Sequence, residues 1–197
     1  MPETASPHGC IHLNRSSQRP GPDNHLLIQT VTPAARSPLL ALVKRIADSG
    51  CNLADTRVST VGSDVSLILL AQGPWDAVAK LEAALARAGR DEELHLVSYR
   101  TTPRAPQSHL LPYVVEVVAA DKPGVMLDII EFFARRSITI EQLTSSRYRA
   151  MQTGADMFSA QITVGIPSEA HIAALRDDFL ELCDGLNLDA IMDPMKF

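Results

Sequence analysis

The chain has 197 residues, 46% hydrophobic and 21% charged, enough for one large globular domain or two small ones. A formal net charge of −5 and a pI near 5.6 argue against a chain that itself grips nucleic-acid phosphates. No apolar run reaches the roughly 18 residues of a membrane helix, and Cys10, Cys51 and Cys183, without a CxxC, fit free thiols in a reducing compartment.

The N-terminus lacks a charged-then-apolar leader pattern, so a cytoplasmic protein is expected. Residues 1–24 hold four prolines and no apolar period, the composition of a disordered tail. His8, Cys10 and His12 lie close together there, but a fourth ligand and a scaffold are missing, so no metal or other cofactor is expected. Aromatic residues are only 5%, which predicts a mostly aliphatic core.

From His25 the chain becomes patterned. Residues 25–32 (HLLIQTVT) read as a strand. Residues 37–50 carry Leu39, Leu42, Val43 and Ile46 at helical spacing and stop on Gly50. Two strands around Gly62-Ser63 form a hairpin, residues 74–89 form a helix striped by Val78, Leu81, Leu85 and Ala88, and residues 93–99 form a last strand. Residues 101–112, with three prolines, read as a linker.

The same order then recurs. Residues 113–120 (YVVEVVAA) read as a strand. Met126, Ile129, Ile130 and Phe133 each lie 87 residues beyond Leu39, Leu42, Val43 and Ile46, since 126 − 39 and 133 − 46 both give 87. Ile172, Leu175, Phe179 and Leu182 lie 94 beyond Val78, Leu81, Leu85 and Ala88, so copy two carries 94 − 87 = 7 extra residues between its helices. The segment 147–156 (RYRAMQTGAD) is the expected place, and Arg147, Tyr148 and Arg149 become candidates for docking a partner. The pattern predicts an α+β protein of two ferredoxin-like βαββαβ units, antiparallel sheets with helices on one face, over residues 25–100 and 113–197.

Between the first strand and first helix of copy two stands Asp121-Lys122-Pro123-Gly124, followed by Val125. Asp121 suits a cap acceptor, Pro123 needs no N–H partner, and Gly124 lets another group approach the backbone. The free N–H groups of the helix start would welcome a carboxylate. No nucleophile elbow, HExxH, Walker loop or dinucleotide-binding glycine motif occurs, so catalysis is not expected. Asp177, Asp178, Glu181, His95 and His171 read as surface groups, and Thr144-Ser145-Ser146-Arg147 as the end of a strand.

A repeated βαββαβ unit with D-[KR]-P-G at this loop resembles the ACT-domain family, whose members bind amino acids or other small ligands and regulate. Gly50-Cys51-Asn52-Leu53 is similar to the family's G-x-N-[IL] stretch. Copy one has Ala34-Ala35-Arg36-Ser37 at the loop, and copy two has Ser137-Ile138-Thr139-Ile140 at the second motif, so each copy keeps a different half. The resemblance implies one hybrid ligand site from Asp121, Lys122, Pro123, Gly124, Val125, Asn52 and Leu53. It further implies a small amino acid such as glycine as ligand, and a protein partner, a transcriptional activator or alternatively an amino-acid metabolic enzyme. Neither direct nucleic-acid binding nor membrane contact is expected, and association between copies of the chain is a further expectation.

Overall fold

The computed structural model describes residues 24–91, 95–105 and 107–196. The expectations for residues 1–23, including the tail and the group His8, Cys10 and His12, lie outside the described residues. The chain divides between Arg104 and Ala105 into two units.

The first unit runs β1 (Asn24–Pro33), a 3-10 turn (Ala34–Arg36), α1 (Leu39–Asp48), β2 (Asn52–Val61), β3 (Asp64–Gly73), α2 (Trp75–Asp91) and β4 (Leu96–Thr101). The second runs β5 (Leu110–Ala120), α3 (Val125–Arg135), β6 (Thr139–Arg149), β7 (Asp156–Pro167), α4 (Ile172–Leu186) and β8 (Asp189–Pro194). Each is the ferredoxin-like βαββαβ unit, and the two antiparallel sheets have matching orders, β2-β3-β1-β4 and β6-β7-β5-β8. β5 begins at Leu110 and not at residue 113, so the segment expected as linker contributes three residues to a strand.

Alternation along the strands sets the core. In the first unit Leu26 and Ile28 of β1 and Leu67 and Leu69 of β3 point to one face, fully buried beneath Leu42 of α1 and Val78, Leu81 and Leu85 of α2. In the second, Val115 and Val117 of β5 and Ile162 and Val164 of β7 meet Ile129 and Phe133 of α3 and Phe179 of α4. The aromatic residues are unevenly used. The first core is aliphatic, as expected, whereas Phe132, Phe133 and Phe179 form a cluster in the second with ring centroids 5.2–5.3 Å apart.

Three details of the helices differ from the periodic reading. Phe132 enters the core and Ile130 stays 37% exposed, because the buried stripe of α3 is Val125, Ile129, Phe132 and Phe133. On α4 the buried position near the end is Cys183, with Leu182 at the margin. Gly89 does not stop α2, which continues to Asp91; glycine ends a helix only where the chain must turn left-handed, and Gly89 has no positive φ.

Six of the seven extra residues lie in the β6–β7 hairpin, and the seventh falls between β7 and α4. Beyond a β-bulge, β2 and β3 pair from Asp55↔Leu70 to Val61↔Asp64, while β6 and β7 pair from Gln142↔Thr163 to Arg149↔Asp156, one pair more. Residues 150–155 connect β6 to β7 where Gly62 and Ser63 suffice in the first unit. The bulges themselves correspond, at Ala54 and Glu141, and 141 − 54 again gives 87.

Both first helices end alike. Gly50 has φ 85 and Ser137, its counterpart 87 residues on, has φ 55. Cys51 and Ile138 then donate back to the carbonyls of Ile46 and Phe133, at 3.1 and 3.0 Å. The G-x-N-[IL] glycine thus has a backbone role that copy two meets with a strained serine. Ser137→Gly is expected to stabilise the second unit by about 0.5–1 kcal/mol, read as a higher urea midpoint with unchanged slope. Phe133→Ala, which empties the centre of the aromatic cluster, is expected to cost about 3–5 kcal/mol in the same measurement.

Candidate functional site

β5 ends at Ala120, and the chain must climb from the sheet to the helix layer within four residues. Asp121 N–H still donates to Asp156 O at 3.0 Å, continuing the ladder for one more step. Gly124 then reverses the chain with φ 96 and ψ −19 and stands as the N-cap of α3, its carbonyl accepting from Asp128 N–H at 3.1 Å. This positive φ is the physical reason for glycine at the end of the motif. A side chain at Gly124 would meet nothing within 4 Å, so the constraint comes from backbone conformation and not from crowding.

Asp121 does not cap the helix. Among the described residues no side chain caps α3, and the Asp121 carboxylate instead pairs with the guanidinium of Arg147, near the end of β6. A partner 26 residues away in the chain outcompetes the local cap because a full cation is a stronger partner than a peptide N–H. The first N–H groups of α3 and the positive end of its dipole therefore have no side-chain cap among the described residues.

A cavity of about 420 Å³ opens beside this loop. Asp121, Lys122, Gly124, Val125 and Met126 line it from the loop and α3, Ser145, Ser146 and Arg147 from β6, and Phe158 from β7. Pro123 does not line it; its fixed φ shapes the loop. Of the expected loop residues the structure therefore brings Asp121, Lys122, Gly124 and Val125 to one cavity. Asn52 and Leu53 open β2 in the first unit, both exposed, with Asn52 paired in register to Gln72.

The corresponding loop of copy one is built differently. Ala34–Arg36 form a 3-10 turn, Ser37 has φ −53 where Gly124 has 96, and Pro38 precedes α1. At the 87-residue offset Asp121 corresponds to Ala34 and Arg147 to Thr60, so neither charge of the pair exists in copy one.

Sequence reasoning missed Met126 and Phe158 as lining residues, read Ser145 and Ser146 as a strand end, and missed the tie between Asp121 and Arg147. The paired loss of both charges in copy one was the available signal. Arg147, expected to serve a partner, pairs with Asp121 of the loop. Arg149 donates to Gly154 O at 2.9 Å within the hairpin, and Tyr148 remains 45% exposed. Elsewhere, Asp177, Asp178 and Glu181 are exposed as expected, with Asp178 paired to Arg136 at 3.0 Å. His171 is no idle surface group: its Nδ1 accepts from Ala174 N–H at 3.2 Å and caps α4. Burial pushes the Cys183 thiol up to about 11 and the Cys51 thiol upward as well, with the carboxylates of Asp184 and Asp76 adding to the effect; both thiols stay protonated and unreactive at neutral pH. No helix among the described residues is long and apolar enough to cross a membrane.

Residues 25–99 match the family model described as the ACT domain. The chain is 28% identical over 174 residues to the glycine cleavage system transcriptional repressor of Escherichia coli (strain K12), covering 88% of this chain and 92% of that protein, and the Shigella flexneri protein of the same name matches equally. Among solved structures, one provisionally assigned as a glycine cleavage system transcriptional repressor aligns at 25% identity with a TM-score of 0.64, over 90% of this chain and 100% of the other. A protein of unknown function from Galdieria sulphuraria shares the fold with a TM-score of 0.71 at 13% identity, over 88% and 99% of the two chains. The duplicated βαββαβ fold, the ACT match over residues 25–99 and the similarity along nearly the whole chain make the chain similar to the glycine cleavage system transcriptional repressor, with the ACT likeness carried by its first unit.

Proposed function

We propose that the chain is a non-enzymatic, amino-acid-sensing regulator that represses transcription of a glycine cleavage system through a protein partner. The observation that carries this reading is the loop of copy two. A left-handed glycine leaves the N-terminus of α3 without a side-chain cap beside a cavity of about 420 Å³, a suitable size and polarity for a small carboxylate-bearing ligand. Similarity to a repressor over most of both chains supports the regulatory side of the reading. A net charge of −5 favours a protein partner over direct contact with DNA.

A ligand can regulate only by binding two states of the protein with different affinity. Glycine or a similar amino acid is the proposed ligand, and the partner a transcriptional activator. Pull-down with the full chain tests the partner: recovery of a metabolic enzyme in place of a transcription factor would favour an enzyme's regulatory subunit. The proposed setting is the cytoplasm.

Thermal shift against the twenty amino acids tests the ligand. At 100 times its dissociation constant a true ligand stabilises by about 2.7 kcal/mol. Gly124→Val, which forces a β-branched residue into positive φ, is expected to abolish that shift, while Ser37→Val at the copy-one position leaves it intact. Asn52→Ala tests the second half-motif: a tenfold loss, of the order expected for one lost polar contact, keeps Asn52 and Leu53 in the site, and unchanged affinity removes them.

The hairpin beyond Arg147 is proposed to meet the partner. Met151 at its tip is fully exposed and Tyr148 half so, and neither serves a core. Replacing residues 150–155 by Asn-Gly is expected to leave the unfolding midpoint unchanged and to weaken repression of a reporter. Full repression by the shortened chain would assign the partner to another surface.

A further inference from the structure

We propose that Arg147 and Asp121 act as a charge-pair reader that selects free α-amino acids as zwitterions, the ligand carboxylate taking the Arg147 guanidinium and the ligand ammonium taking the Asp121 carboxylate. This rests on the reading of the copy-two loop as a ligand site, and it assigns specificity to a residue of β6 outside the loop motif.

Four observations converge on it. The two side chains form an ion pair, and both line the cavity. The pair is unequally placed, with Asp121 17% exposed on the cavity wall and Arg147 74% exposed. An ion pair with one partner so open to water contributes little, so a ligand separates it at small cost. The remaining wall suits an amino acid: the hydroxyls of Ser145 and Ser146 can donate or accept, and Val125 and Phe158 provide an apolar side. Finally, copy one lacks both charges together, having Ala34 and Thr60 at the matching positions.

The selectivity follows from charge balance. A zwitterion replaces one internal ion pair by two external ones and leaves no charge without a partner. The flat guanidinium fork accepts a carboxylate through two parallel hydrogen bonds, which fixes the orientation. A ligand with a carboxylate alone strands Asp121 beside an uncharged group. A ligand with an ammonium alone strands Arg147. Lys122 also lines the cavity and adds positive charge, so a simple anion is the competing ligand.

Titration calorimetry on the full chain separates these cases with glycine and L-alanine, each beside its N-acetyl derivative and its amide. The free amino acid is expected to bind roughly tenfold or more tightly than either derivative. Arg147→Gln should erase the preference over the amide, and Asp121→Asn the preference over the N-acetyl form, with circular dichroism unchanged in both. Equal binding of N-acetylglycine and glycine by the unaltered chain would overturn the proposal in favour of an anion site. Retention of both preferences in the two variants would overturn it while leaving the loop as ligand site. If neither glycine nor L-alanine binds the unaltered chain, the charge-pair reader falls; if in addition none of the twenty amino acids gives a thermal shift, the sensing reading falls with it.

Discussion

Two helices can cover only one face of a four-stranded sheet, and nearly everything else in each unit follows from that constraint. It forces the central strands to alternate, so that Leu26 and Ile28, or Val115 and Val117, lie under helices. It also requires the chain to leave the sheet plane at the end of the first strand and enter the helix layer within a few residues. In copy two that step is made by Asp121–Gly124, with the left-handed Gly124 as pivot. The helix therefore starts beside the sheet without a side-chain cap among the described residues, and a cavity forms where loop, α3 and β6 diverge. The position of the cavity is a by-product of packing, and its lining comes from the few side chains that packing leaves at liberty.

The fold was legible because burial writes a period into the sequence. Leu39, Leu42, Val43 and Ile46 announce a helix, and their echo 87 residues later announces a repeat even where few identities survive. What remained hidden was decided across the chain. Whether Ile130 or Phe132 enters the core depends on Phe179 from another helix, whose ring centroid stands 5.2 Å from that of Phe132. Asp121 looked like a cap because local rules see only neighbours, whereas Arg147 reaches it from a strand formed 26 residues later. Thus the loop could be found from its motif, but its electrostatic partner and the hydroxyls beside it needed the sheet register to come into view.

The two copies show which parts of the repeat are constrained by folding and which are released. Turn geometry persists even at a cost: Ser137 adopts φ 55 to do what Gly50 does at φ 85. The β-bulge persists, at Ala54 and Glu141. Loop chemistry does not, since Ala34–Ser37 follow a different backbone path from Asp121–Gly124. Duplication keeps the scaffold twice over while the loop between first strand and first helix is left to differ between the copies.

The bulges have a consequence for self-association into fibrils. β2 and β6 are edge strands of their sheets, and an edge strand carries a row of peptide groups without partners in its own sheet. Regular spacing of that row is what allows foreign strands to stack on it in register. The extra residue at Ala54 or Glu141 breaks the spacing two residues after the strand begins and twists it. On this edge each sheet thereby offers an incoming strand an interrupted template, and the same irregularity that shapes the repeat works there against cross-β growth.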